Sequence, residues 1–389
     1  MKQSWNQSSM KHENKRLVLQ QIISDEPISR ADLAKRCGLN KATVSSLVAE
    51  LMDDSLVKEA GIGESSGGRR PVLLYFSREA GYALGLNVGG GTVEAVLTDL
   101  KGTIMAHEHF QTREPAYQSA ITVMEKAVEW AHGVVPPSPH GIIGVGVAVP
   151  GMIDHSGTVL NAPNLQWRDR PLKHDLEDRL KLPVLIENEA NAGAYREYQT
   201  RSDADESLLY ISIGTGIGAG IVLNGSLYRG QSGYAGEIGH MTLDFQGPRC
   251  TCGNSGCLEL YASELALVEK AMEAGLKDCK DFDSLVNSAG EGDELALSLF
   301  TEAGRALGSG VVSAIHAYDT KHIIIASRGG EWMKNAVRDT VRKKALPHYR
   351  DDLDLVFLDT RLPAASLGVS GLVVDEFLKG RKGFEKAKE

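Results

Sequence analysis

A seven-residue glycine-rich turn between two apolar runs restricts the fold most: Leu208 to Ile213 enters Gly214-Thr-Gly-Ile-Gly-Ala-Gly220, and Ile221 to Leu223 leaves it. The pattern is strand, turn, strand. A dinucleotide-binding fold needs strand, turn, helix, so that class is excluded. A second glycine turn at 89–91 lies between the strand-like runs Tyr82 to Asn87 and Thr92 to Leu100. Glycines in such turns either close a tight hairpin or let backbone N–H groups approach a phosphate. Two of them in matching contexts predict a duplicated fold with a cleft between two lobes.

Around these turns the chain alternates strands and helices. Ile142 to Val149 reads as a buried strand ending at Pro150-Gly151, and Val184 to Glu187 as another, followed by a helix from about Ala190. A helix is expected over 293–318, then a short core strand at Ile323 to Ile325. This is an α/β pattern. A chain of 389 residues exceeds one ordinary core and predicts two or three domains. No apolar run reaches the roughly 18–20 residues of a membrane span. The polar start, MKQSWNQSSMKHENK, lacks a signal-peptide core, so the expected location is the cytoplasm. An odd count of five cysteines there argues against a disulfide framework.

The first 78 residues have a different character. They carry 12 Lys+Arg against 9 Asp+Glu, whereas the remainder carries 30 against 42, so a mildly basic head precedes an acidic body. A helix is expected over 12–24, with Leu17, Leu19, Ile22 and Ile23 on its apolar face, and Pro27 breaks it. Ser29 is a helix cap with Asp32 in a capping-box position, and the next helix, Arg30 to Cys37, ends at Gly38. Asn40 caps a third helix with Val44, Leu47, Val48 and Leu51 on one buried face. Ala34, Gly38 and Val44 fall at positions 5, 9 and 15 of a helix-turn-helix: small for close approach, glycine for the turn, apolar for the angle between helices. Asn40, Lys41, Thr43, Ser45 and Ser46 then face outward as candidate DNA contacts. Two short strands around GIGESSGGRRP predict a β wing, with Arg69 and Arg70 able to reach phosphate or the minor groove. The order helix, turn, helix, wing favours duplex DNA over a protein-docking unit.

The sharpest chemical pattern lies in the body. His240, Cys250, Cys252 and Cys257 read H-x9-C-x-C-x4-C, with Gly253 and Gly256 bending the loop. Three thiolates and one imidazole make a closed tetrahedral zinc site, hence a structural one. Glu237 and Glu259 flank the cluster, and Asn188 and Glu189 follow the strand at 184–187. Such acceptors and donors suit a polyol, whose hydroxyls both donate and accept. Asn161, Asn164 and Trp167 are candidates to close that pocket, the indole against a sugar's C–H face.

Taken together, IGTGIGAG at 213–220, EIGH at 237–240, the cysteine spacing, CLE at 257–259 and ENEANAGA at 187–194 resemble the ROK family of repressors and sugar kinases. TVSSLVAELMDDSLV at 43–57, SSGGRRPV at 65–72, LYRGQSGYAGEIGHMTLDF at 227–245 and GCLELYASE at 256–264 resemble its bacillar xylose-repressor branch most. The resemblance implies a winged helix-turn-helix at 1–78 and an actin-like body of two ribonuclease-H-like lobes. The lobes would span 79–200 and 201–365, the first completed by a C-terminal helix near 366–380. It also implies that Asn188, Glu189, Glu237, His240 and Glu259 touch sugar, and that His240 links sugar to zinc.

Departures from the family's kinases point away from an enzyme. Their first phosphate turn reads Asp-x-Gly-Gly-Thr; here it is Asn87-Val88-Gly89-Gly90-Gly91. Their catalytic Asp is Glu189, one methylene longer, and misplacement by about 1 Å can cost roughly 100-fold in rate. The late glycine motif reads IIIASRGG at 323–330 and brings in Arg328. The expectation is a repressor of xylose-utilisation genes. A homodimer or higher homo-oligomer would bind a palindromic operator and be released by xylose, with glucose a possible competitor. An active sugar kinase with an appended head is the alternative.

Overall fold

In the head, local signals decide the elements. Ser29 Oγ accepts from Asp32 N at 3.1 Å and starts the helix Arg30–Cys37. Its hydroxyl donates to the Asp32 carboxylate at 2.7 Å, so only half of the expected capping box forms. Gly38 takes the left-handed conformation, φ +66°, that turns the chain toward the next helix. Asn40 Oδ1 accepts from Thr43 N at 2.8 Å and caps Lys41–Asp53. The first helix is Gln7–Asp25, longer than expected, and its buried face is Val18, Leu19 and Ile22. Leu17 is 40% exposed, a correction to the expected stripe. Strands Val57–Ile62 and Val72–Phe76 pair antiparallel, with Ile28–Ser29 as a third strand beside the latter.

The computed structural model describes residues 7–62, 72–112, 116–201, 207–350, 352–358 and 363–380. The wing tip, with Arg69 and Arg70, lies outside the described residues.

The first lobe is a five-stranded sheet in the order Val184–Asn188, Ile142–Val149, Tyr82–Val88, Thr92–Asp99, Ile104–Gln111. Helix Tyr117–Val134 covers one face and helix Ala364–Leu378 the other, so the C-terminal helix completes this lobe. Glycines let that helix rest on the sheet backbone: a Cβ at Gly85 would stand 1.9 Å from Ser366 O, and one at Gly146 2.5 Å from Val369 O. The second lobe repeats the plan with Ser226–Leu227, Ile217–Leu223, Leu208–Ile213, His322–Ala326 and Asp354–Leu358. Helices Glu294–Tyr318 and Gly330–Lys344 bury its outer face.

Helix Glu189–Thr200 follows the first lobe's last strand but packs on the second lobe's sheet. Ala194 shares a cluster with Tyr210 and Val222, and Gly220 lies so close that a Cβ would stand 2.2 Å from Ala190 O. The same helix rests on the C-terminal helix, where a Cβ at Gly368 would stand 1.9 Å from Ala192 O. Two backbones meet there, so neither can swing away. Gly368→Ala is therefore expected to cost at least the roughly 1–3 kcal/mol of an overpacked core. Urea unfolding checks this, and an unshifted midpoint would mean the helices part freely.

No linker separates head from body. Val18, Ile22, Leu51, Ala83, Ile143, Val373 and Val374 belong to one buried cluster. His12 Nε2 lies 3.0 Å from Lys379 O, and His140 Nε2 lies 2.8 Å from Asp54 O. Among the described residues no helix is long and apolar enough to cross a membrane.

Candidate functional site

On the helix Lys41–Asp53, burial of Val44, Leu47, Val48 and Leu51 turns the opposite face outward. Lys41, Ser45 and Ser46 are exposed, and Thr43 is half-buried. Asn40 is exposed too, but its side-chain oxygen is committed to the cap. Two cations of the first helix are used internally: Lys11 pairs with Glu50 at 2.7 Å and Lys15 with Asp54 at 2.6 Å. These pairs neutralise the acidic end of the outward-facing helix.

The second constellation is built around the hairpin that dominates the sequence. Ser212 Oγ donates to Glu189 Oε1 at 3.3 Å, and Ser212 pairs with Gly218 across the hairpin. Burial pushes the Glu189 carboxyl above the ordinary carboxylate range. Glu259 reaches the turn itself: a Cβ at Gly216 would stand 3.2 Å from Glu259 Oε2. Gly236 O accepts from Ala219 N at 3.0 Å, which lays the Glu237–His240 segment along the strand leaving the turn. Glu237 is raised as well, by burial first, with the nearby His240 opposing and Glu259 adding to the shift. Glu189, Glu237, His240 and Glu259 thus converge on one hairpin.

Other expected pocket residues are placed differently. Asn188 Oδ1 accepts from Ala190 N at 2.8 Å and Asn191 N at 3.2 Å, while its Nδ2 donates to Gly151 O at 2.9 Å. Its side chain is spent on capping the helix and fixing a loop. Trp167 corrects the sequence reading: it is buried in the first-lobe core, edge-on to Tyr117 with ring centroids 5.0 Å apart. An indole enclosed this way has no face for a ligand. Asn161 and Asn164 are exposed on and beside the small sheet formed by Met152–Ile153, Val159–Ala162 and Trp167–Arg170.

His240, Cys250, Cys252 and Cys257 place one donor atom each within 4.8 Å of one another. Cys252 Sγ and Cys257 Sγ are 3.7 Å apart, as are Cys250 Sγ and His240 Nδ1. Metal bonds of about 2.0–2.3 Å in a tetrahedron put neighbouring donors roughly 3.5–3.8 Å apart, so the cluster fits one ion. Glu259 Oε1 sits 3.1 Å from both His240 Nδ1 and Cys250 Sγ. That hydrogen bond raises His240 to about 8 against the opposing effect of burial. The cysteine loop and the carboxylates of the hairpin are therefore one connected structure.

Two residues of this region escaped the sequence reading. Arg229, from the second lobe, reaches Glu187 Oε2 at 2.7 Å through Nε and 2.6 Å through Nη2. Glu187 ends the first lobe's edge strand and is buried; its Oε1 accepts from Asn191 Nδ2 and Asn188 N, both at 3.0 Å. The lobes are joined again where His155 Nε2 lies 3.1 Å from Gln231 O. A charge inside a buried strand demands a partner, and that was the available signal.

A model described as the ROK family matches residues 83–370, most of the chain. The chain belongs to the ROK family. A winged helix-turn-helix DNA-binding model matches residues 11–58 of this ROK protein. The xylose repressor of Bacillus subtilis is 39% identical over 382 residues, covering 96% of this chain and 98% of its own. A crystal structure of a ROK family transcriptional regulator, a homolog of the E. coli MLC protein, superposes with a TM-score of 0.82 at 27% identity, covering 95% of this chain and 97% of that one. A ROK family glucokinase from Streptomyces griseus, solved with glucose and AMPPNP, matches with a TM-score of 0.66 at 28% identity, over 76% of this chain and 98% of its own. The expected two-lobed ROK body behind a winged helix-turn-helix is the observed fold.

Proposed function

We propose that this ROK protein is a sugar-responsive transcriptional repressor that takes xylose in the cleft beside the Gly214–Gly220 hairpin. One observation carries the reading: sugar-suited carboxylates stand intact beside altered phosphate machinery, in a chain whose head is built for DNA. Glu189, Glu237, His240 and Glu259 remain gathered at the hairpin. Asn87 takes the place of the kinases' first-turn carboxylate. Arg328 is clamped by Glu264 and Asp283, at 3.0 Å and 2.7 Å, and Glu264 N in turn donates to Gly214 O at 2.9 Å. A pinned arginine–glutamate pair therefore stands beside the one surviving glycine turn.

Zinc held by His240, Cys250, Cys252 and Cys257 would brace the loop that carries Glu259. The ion would supply rigidity, with no open position for chemistry. A homodimer presents two heads to a palindromic operator. Xylose releases DNA only by binding the DNA-free arrangement better, and glucose, larger by one hydroxymethyl group, is the expected competitor.

The test is fluorescence anisotropy with DNA from upstream of a xylose-utilisation gene cluster, at fixed salt, with and without xylose. Specific binding released by xylose is expected. Binding indifferent to xylose would remove the ligand, and no binding would remove the repressor. Lys41→Ala is expected to weaken operator binding and lower its salt slope by about 1, as loss of one phosphate contact does. An unchanged slope would take Lys41 off the interface. The kinase alternative keeps the Gly214–Gly220 turn in its favour; ATP turnover with xylose or glucose, lost in Glu189→Gln, would restore it.

A further inference from the structure

We infer that the first lobe carries a second metal site, formed by Glu94, His107 and His109 and suited to a divalent transition ion. His107 and His109 are two apart on the edge strand Ile104–Gln111, so both rings stand on one face of the sheet. Glu94, on the neighbouring strand, is directly opposite His109 in the ladder. Its Oε1 lies 3.2 Å from His107 Nε2 and 4.0 Å from His109 Nε2. One donor atom from each of the three lies within 4.8 Å of the others.

Three features separate this cluster from a chance surface hydrogen bond. A His–Glu pair needs one imidazole, yet two converge on the same carboxylate oxygen, with ring centroids 4.8 Å apart. Glu94 is fixed in place, since its side chain is only 15% exposed and Ser366 Oγ lies 2.7 Å from its other oxygen. Carboxylate ligands are commonly oriented by such a partner. Asn87 continues the row, opposite Glu94 on the next strand, and its Oδ1 is buried with no hydrogen-bond partner among the described residues. An acceptor left without a donor one strand from the carboxylate leaves room in the row for a further donor shell around a cation held at Glu94.

Two imidazoles and one carboxylate suit Zn²⁺, Co²⁺ or Ni²⁺ better than Mg²⁺ or Ca²⁺, which prefer all-oxygen shells. Three protein ligands leave coordination positions open, and His109 is 58% exposed. The ion would therefore exchange with solvent, unlike one enclosed by three thiolates. Through Glu94 and Ser366 it would tie the edge strand to the C-terminal helix that also packs against the head.

Co²⁺ titration of metal-stripped protein tests this, because thiolate-to-cobalt charge-transfer absorption marks the cysteine loop and the Glu94 site lacks it. Wild type is expected to take up an ion without that absorption, and H107A/H109A to lose that ion while keeping the thiolate-bound one. Both histidines have exposed or half-exposed rings, so the double variant should fold as wild type does, with circular dichroism as the check. Ser366→Ala, which leaves all three ligands in place, is expected to weaken this uptake roughly 10–100-fold. Uptake confined to the thiolate-bound ion in wild type, or an unchanged second ion in H107A/H109A, would overturn the site. Loss of the thiolate-bound ion alone would count against the zinc loop and leave this site standing.

Discussion

Cys252→Ser should empty the proposed zinc loop and weaken xylose binding by about 10–100-fold, the loss typical when a metal's supporting geometry is disturbed. Serine keeps the side chain's shape and removes its soft donor. Apparent zinc-binding energies in small folded peptides run to about 10–16 kcal/mol. This loop keeps backbone bonds of its own, including Leu243 N to Gly256 O at 2.7 Å and Cys250 N to Asn254 O at 2.9 Å. It should therefore stay looped and lose precision at His240, one of the cluster's own donors, and at Glu259, which lies 3.1 Å from both His240 Nδ1 and Cys250 Sγ. Operator binding without sugar should survive, because the head's core lies in a separate cluster. Metal analysis, calorimetry with xylose and operator anisotropy on the same variant check the three parts. Wild-type xylose affinity in a metal-free variant would show that the brace is idle.

Arg229→Ala should destabilise the protein by roughly 3 kcal/mol, the low end for breaking a buried ion pair. The low end applies because Arg229 is 36% exposed, whereas the Glu187 side chain left behind is only 7% exposed. The cost comes mainly from that stranded carboxylate. Glu187→Gln in the Arg229→Ala background should therefore restore part of the stability, since it removes the charge that lost its partner. Denaturant titration of the four proteins in the cycle measures the coupling. Additive losses would mean that the two residues do not act as a pair. The pair crosses between lobes, so the single variant should also change the xylose concentration that releases operator DNA. A response identical to wild type would separate the pair from the switch.

Local signals were legible from residues alone. Ser29, Gly38 and Asn40 announced the head's helices because caps and left-handed turns depend on a few neighbouring atoms. The spacing of His240, Cys250, Cys252 and Cys257 announced a cluster because the intervening loop is short. The glycine hairpin announced two flanking strands for the same reason. The strand Ile104–Gln111 was missed, since a mostly exposed edge strand has no alternation to display. Leu17 and Trp167 were misplaced because composition shows that a residue is apolar but not which surface will cover it.

What the sequence by itself determined is the kind of parts: a winged helix-turn-helix, an α/β body, a cysteine loop, and carboxylates suited to a sugar. Only the tertiary structure decided how those parts are spent. It used Asn188 as a cap, paired Glu187 with Arg229 across the lobes, laid helix Glu189–Thr200 on the second sheet, and fused the head to the first lobe through Val373 and Val374. The physical reason is range. Caps, turns and chelating loops close over a few residues, whereas burial and ion pairing join residues dozens to hundreds of positions apart, and no local pattern records which of them will meet.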